Sequence, residues 1–74
     1  MTSDEWRKLS RRLGLPPRQT AIVELILRGK RDKQIAECLG LSHSTVRTHL
    51  HQVFDRFNVT DRVELVLRIA AIRE

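Results

Sequence analysis

Between Ser42 and Phe57 the chain places Ser44, Thr48, His51 and Asp55 at helical intervals, with Arg47 and Gln52 on the flanks. Side chains three and four apart share one side of a helix. That side would carry short hydroxyls and an imidazole beside a guanidinium fork, a set that can approach the edges of nucleic-acid bases closely. A helix face that only meets water more often carries Glu and Lys in pairs four apart, and such pairs are missing here. Arg47 is the first candidate for base readout, because its fork matches two acceptors at once. A phosphate contact is the alternative for it. Thr48 offers a methyl to thymine or a hydroxyl to phosphate, or is a plain surface threonine.

All three histidines, His43, His49 and His51, fall in the same segment. Three imidazoles within nine positions suggest a metal site. His43 and His51 are eight residues apart, however, and no carboxylate or cysteine clearly completes a ligand set. No metal is expected. Hydrogen bonding to a polyanion suits these rings better, and their protonation beside phosphate would strengthen binding as pH falls. A P-loop, a metal cluster and a nucleophile with a paired base are all missing from the sequence, which argues against an enzyme; no cofactor is expected.

The other side of this segment fixes its position. Val46, Leu50, Val53, Phe54 and Phe57 repeat with helical period and predict a helix over about 43–57. Ser42 is placed to cap its start and Asn58 to end it in a left-handed conformation. A shorter helix is predicted to begin after Asp32, read as its N-cap, with Ile35, Ala36 and Leu39 inward and Gly40 as its stop. Together these form a helix-turn-helix: a small residue, Ala36, where backbones approach, Gly40 at a tight turn, and Val46 to lock the second helix onto the first. Cys38 in this stretch reads as an ordinary buried small residue.

Three further helices frame the motif. One spans about Ser3 to Leu13, with Trp6, Leu9 and Leu13 as its apolar stripe and Gly14 as its stop; it is either a docking helix or the remnant of a linker. Pro16 and Pro17 start the next, with Ile22, Leu25 and Ile26 on its inner face and Gly29 at its end. Asp61 opens the last, with Glu64 three residues on in a capping-box arrangement. That helix holds more apolar residues than one stripe needs. Val63, Val66 and Ala70 can face one way, and Leu65, Ile69 and Ile72 another; the second set is expected to form a dimer surface unless the N-terminal helix covers it.

Seventy-four residues make one domain, and sustained alternation of β-branched residues is absent, so the fold class is all-α. With a single cysteine there is no internal disulfide, which suits a reducing compartment. No apolar run is long enough to span a bilayer and no signal-peptide pattern opens the chain, so a cytoplasmic location without membrane contact is expected. The formal charge of +5 points to a polyanionic partner, although its excess sits in residues 1–31 and need not lie on one face.

The run Asp32-Lys33-Gln34-Ile35-Ala36-Glu37, then Leu39-Gly40-Leu41-Ser42, then Thr45-Val46-Arg47-Thr48-His49, resembles the LuxR-type (FixJ/NarL-type) helix-turn-helix. The likeness extends back to Leu15-Pro16-Pro17-Arg18 and forward through Phe57-Asn58-Val59 to Arg62, Glu64 and Leu65, covering about residues 15–68. It implies a four-helix DNA-binding domain of a bacterial transcription regulator over residues 15–74, preceded by an additional N-terminal helix or linker remnant over 1–14. On that likeness Arg47, Thr48 and His51 occupy base-reading positions, and Ser44 joins them from the same face. Lys33, Thr45 and His49 occupy positions near the phosphate backbone, with Gln52 beside them. The implied partners are double-stranded DNA, a second copy joined through the last helix at Leu65, Ile69 and Ile72, and RNA polymerase. Ser44 stands where the family often has lysine, Asn58 replaces its usual glycine, and Pro16 stands where Ser or Thr usually caps the first helix. A helical protein-interaction adaptor and a sigma-factor-like promoter-recognition domain remain the competing readings.

Overall fold

Helix boundaries follow the capping chemistry. Thr2 and Glu5 form a reciprocal capping box, the Thr2 hydroxyl accepting from the Glu5 N–H at 3.1 Å and the Glu5 carboxylate from the Thr2 N–H at 3.0 Å. They open α1 (Ser3–Leu13), which Gly14 closes. Next come α2 (Pro17–Leu27), α3 (Asp32–Leu39), α4 (His43–Phe57) and α5 (Arg62–Arg73). The computed structural model describes residues 1–73, and among these the chain is helical with no strand. The all-α expectation, with an N-terminal helix added to four others, holds.

Two predicted caps differ in detail. Asp32 is the first helical residue of α3, not its N-cap; Arg31 takes that place, and its N–H donates to the Gln34 side-chain oxygen at 2.9 Å. An arginine has no acceptor to offer the helix, so only half of a capping box forms, and the Asp32 carboxylate is left for other partners. At α5, the Asp61 carboxylate accepts from the Glu64 N–H at 2.9 Å as expected. The return half is missing because the Glu64 carboxylate accepts from the Thr60 hydroxyl at 2.6 Å instead.

α4 packs against α2, α3 and α5, with α1 laid on α2. Each helix contributes one stripe to a single core: Trp6 and Leu9, then Ile22, Val23 and Ile26, then Ile35 and Ala36, then Val46, Leu50, Val53 and Phe57, then Leu65 and Ile69. Cys38 lies outside it and is exposed, contrary to expectation. α3 has only eight residues and commits one face to Ile35, Ala36 and Leu39, which turns Cys38 outward beside Glu37.

α1 is a docked part of the domain. Trp6 is wholly enclosed, and its indole N–H donates to the Thr20 backbone carbonyl at 2.9 Å. The buried Ser10 hydroxyl meets that of Thr20 at 2.5 Å. At the rim the Arg7 guanidinium bonds the Glu24 carboxylate at 2.9 Å, and this pairing raises its pKa above the ordinary arginine value. The Arg56 guanidinium donates to the Leu13 carbonyl and so holds the end of α1 against α4.

Truncating Trp6 to Ala should cost about 3–5 kcal/mol, because it opens a cavity under α1. Trp6→Phe, which keeps most of the ring but loses the bond to Thr20, should cost about 1 kcal/mol. Urea unfolding of the two variants beside the parent protein measures both.

Candidate nucleic-acid interface

The turn between α3 and α4 consists of Gly40, Leu41 and Ser42. Gly40 sits at φ +66° and its N–H returns to the Ala36 carbonyl. A side chain at that backbone angle is strained, so the turn favours glycine. Leu41 also donates to the Ala36 carbonyl, at 3.0 Å. Ser42 then caps α4, its hydroxyl oxygen accepting from the Thr45 N–H at 3.1 Å. The far end of α4 closes at Asn58, left-handed at φ 56° and ψ 48° as expected. Asparagine is among the few non-glycine residues that adopt this conformation readily.

Between these caps α4 divides along its length. Val46 and Val53 are fully buried, and Leu50 and Phe57 nearly so. On the other side Ser44, Arg47, Thr48, His51, Gln52 and Asp55 are all exposed. The structure therefore brings the four expected base-reading side chains, Ser44, Arg47, Thr48 and His51, onto one open face. Arg47 has no hydrogen-bond or ion-pair partner among the described residues. The Thr48 hydroxyl donates back to the Ser44 carbonyl at 3.0 Å, which leaves its methyl as the outward group. His51 is tilted against half-buried Phe54, ring centroids 6.4 Å apart. Asp32, Arg47, Leu50, His51, Phe54 and Arg62 line a shallow groove beside this face, where α4 meets the start of α5.

The four expected phosphate-side residues differ in what they have free. Lys33 is exposed on the first turn of α3 and unpaired among the described residues. Half-buried Thr45 belongs to the cap, its hydroxyl accepting from that of Ser42 at 2.8 Å. His49 is half-buried with Nδ1 shut from solvent and without a hydrogen-bond partner, so Nε2 is the ring atom a ligand could reach. Gln52 accepts from the Gln19 amide at 3.0 Å, which leaves its own amide nitrogen outward. His43, the remaining histidine, faces the Asp32 carboxylate at 3.9 Å.

Two links escaped the sequence reading. Gln19 shares the inner side of α2 with Ile22, Val23 and Ile26 and is buried; its bond to Gln52 ties α2 to the polar side of α4. A glutamine in register with an apolar stripe was the available signal. The second link joins Asp32 to Arg62, thirty residues apart; neither residue on its own announces the other.

On α5 neither expected stripe keeps its place whole: half-buried Val66 packs against the core, while Ile72 is exposed. Leu65 and Ile69 are enclosed in the core at 0% and 1% exposure, whereas Val63 and Leu67 stand out at 67% and 65%. Leu65 and Ile69 thus have no surface to offer a second copy, and this corrects their assignment to a dimer surface. The register of α5 sets Leu65 and Ile69 over α4, and Ile72 follows on that side, lining a groove with Leu9 and Arg12 of α1. The N-terminal helix therefore borders one end of this stripe. The outward apolar residues are Val63 and Leu67, with Ala70 and Ala71 also exposed.

Among the described residues no helix is long and apolar enough to cross a membrane. Residues 13–69 match the family model described as bacterial regulatory proteins, luxR family. A monoamine regulon transcriptional regulator of Klebsiella aerogenes is 41% identical over 54 residues, 73% of this chain and 24% of that protein. The uncharacterized transcriptional regulatory protein YxjL of Bacillus subtilis (strain 168) is 36% identical over 50 residues, 68% of this chain and 23% of its own length. The transcriptional regulatory protein DesR of the same organism is 32% identical over 54 residues, 73% of this chain and 27% of its length. The chain thus spans about a quarter of the length of these relatives. No solved structure matches it.

Removing the cap by Ser42→Ala should lower stability by about 1 kcal/mol and loosen the first turn of α4. Thermal unfolding gives the first effect, and amide exchange at Ser44 and Thr45 the second.

Proposed function

The chain belongs to the luxR family of bacterial regulatory proteins, and from that premise we propose that it binds double-stranded DNA sequence-specifically, with α4 in the major groove, to regulate transcription. The observation that carries this reading is the division of α4: one side is buried in the core, and the other presents Arg47, Ser44, Thr48 and His51 unobstructed. A helix held from behind in this way fits the width of the major groove. Arg47 pairs with guanine O6 and N7, and Thr48 turns its methyl to the groove. Lys33, His49 through Nε2, and the Gln52 amide meet phosphates on either side, while Thr45 orders the first turn. Residues 15–74 form the DNA-binding unit, and α1 braces it from the α2 side.

One recognition helix makes few base contacts, so two copies reading paired half-sites give useful affinity. The outward stripe of α5, Val63 and Leu67 with Ala70 and Ala71, supplies an apolar surface for that pairing. Ile72 lies on the Leu65 side of α5, beside α1, and is outside this stripe.

Arg47→Ala should weaken binding to the preferred sequence by about 1–3 kcal/mol and relax the base preference at one position. Lys33→Ala should instead weaken all sequences alike and reduce the salt slope of binding by about one. Selection from a random DNA pool, followed by anisotropy titrations at several salt concentrations, separates the two effects; binding without any salt dependence would contradict the reading. For self-association, Leu67→Glu should leave helicity unchanged and shift the sedimentation equilibrium toward monomer.

A further inference from the structure

Arg62 is the first residue of α5, and its side chain reaches back to the start of α3. Its guanidinium bonds the Asp32 carboxylate and also donates to the Lys30 carbonyl at 3.3 Å. The pair is partly sheltered, the two side chains being 35% and 25% exposed. Asp32 opens α3, and its second oxygen faces Nε2 of His43, the first residue of α4, at 3.9 Å. One carboxylate therefore stands where the starts of three helices meet. Asp61 does not compete for Arg62, since its carboxylate caps α5. The displacement of Asp32 from the capping position is what leaves it available for this contact.

We propose that Arg62 is a positioning residue for DNA recognition, which fixes the angle between α5 and the helix-turn-helix through Asp32. The inference rests on the DNA-binding and α5-pairing reading above. If two copies meet through the outer face of α5, that angle sets the separation and direction of the two recognition helices. With two guanidinium nitrogens held by different acceptors, one by the Asp32 carboxylate and one by the Lys30 carbonyl, the contact constrains orientation as well as distance. Apolar packing of Leu65 and Ile69 holds α5 against the core without fixing its direction so closely, because such contacts are non-directional. Arg62 thus governs which half-site spacing the dimer accepts, without touching a base.

The test compares the full chain with Arg62→Met and, as a second route to the same break, Asp32→Asn. Each protein is titrated by fluorescence anisotropy against a single half-site and against inverted repeats with spacings varied one base pair at a time. The half-site comes from selection with the parent protein, and titrations are run well below the unfolding temperature of each variant. The parent protein should favour one spacing about tenfold or more over its neighbours. Both variants should keep single half-site affinity within about twofold, while that preference falls to about threefold or less. An unchanged spacing preference in both variants overturns the proposal and leaves the DNA-binding reading intact. Loss of single half-site affinity by Arg62→Met with a shallower salt slope also overturns it, because Arg62 would then be a phosphate contact. Absence of any spacing preference in the parent overturns the α5-pairing reading together with the proposal, and absence of DNA binding by the parent overturns the whole chain of inference.

Discussion

A helix that reads a groove must be bare along one side, and a bare helix of fifteen residues has little reason to stay helical or to stay in place. The burial of Val46, Leu50, Val53 and Phe57 against the neighbouring helices meets that constraint. Everything else in the domain stands in some relation to it. α3 supplies the short turn that aims α4, α2 and α5 supply the walls, and the caps at Ser42 and Asn58 fix where the exposed face begins and ends. The polar side costs little stability because its short side chains stay hydrated. Its orientation is therefore set by the core and not by its own contacts.

Two kinds of polar contact then refine the placement. The bond between Gln19 and Gln52 reaches α4 from the α2 side, and the contact between Asp32 and Arg62 reaches the helix-turn-helix from the α5 side. Both join residues on different helices, and in each a charged or amide group is turned inward from where solvent would hold it. Arg56 and Arg68 act similarly at the far end, donating to the Leu13 and Phe57 carbonyls. Cations near helix C-termini are favoured by the helix dipole as well as by the hydrogen bonds. Several of the basic residues counted in the net charge are thus committed within the domain, whereas Lys33 and Arg47, like Lys8, Arg11, Arg12, Arg18 and Lys30, have unpaired side chains among the described residues. The charge that matters for a polyanion is this uncommitted part.

Much of this was legible in the sequence where periodicity and caps act locally. The limits of α1, the glycine turn, the Ser42 cap and the inner stripe of α4 all follow from spacing. What escaped depended on choices between neighbours. Asp32 is a better N-cap than Arg31 by propensity, yet tertiary pairing with Arg62 claimed it. α5 carries two apolar stripes of similar quality, and only the register of its packing on α4 decides that Leu65 and Ile69 go inward while Val63 goes out, joined there by Leu67, which neither stripe had included. Cys38 is small enough to be buried or not, and a one-faced helix of eight residues settled it. The open face of α4 was readable because it is the complement of an unambiguous apolar stripe.

Trp6 gives the molecule a property of a different kind. It is the single tryptophan in a chain that has no tyrosine, it is sealed from water, and its one polar atom is occupied by the Thr20 carbonyl. Indole emission shifts to shorter wavelength when the ring leaves an aqueous environment. The intrinsic fluorescence of this protein consequently comes from one location, the seam between α1 and α2. Its colour and its access to dissolved quenchers would report whether that seam is closed, separately from whatever happens at the open face of α4.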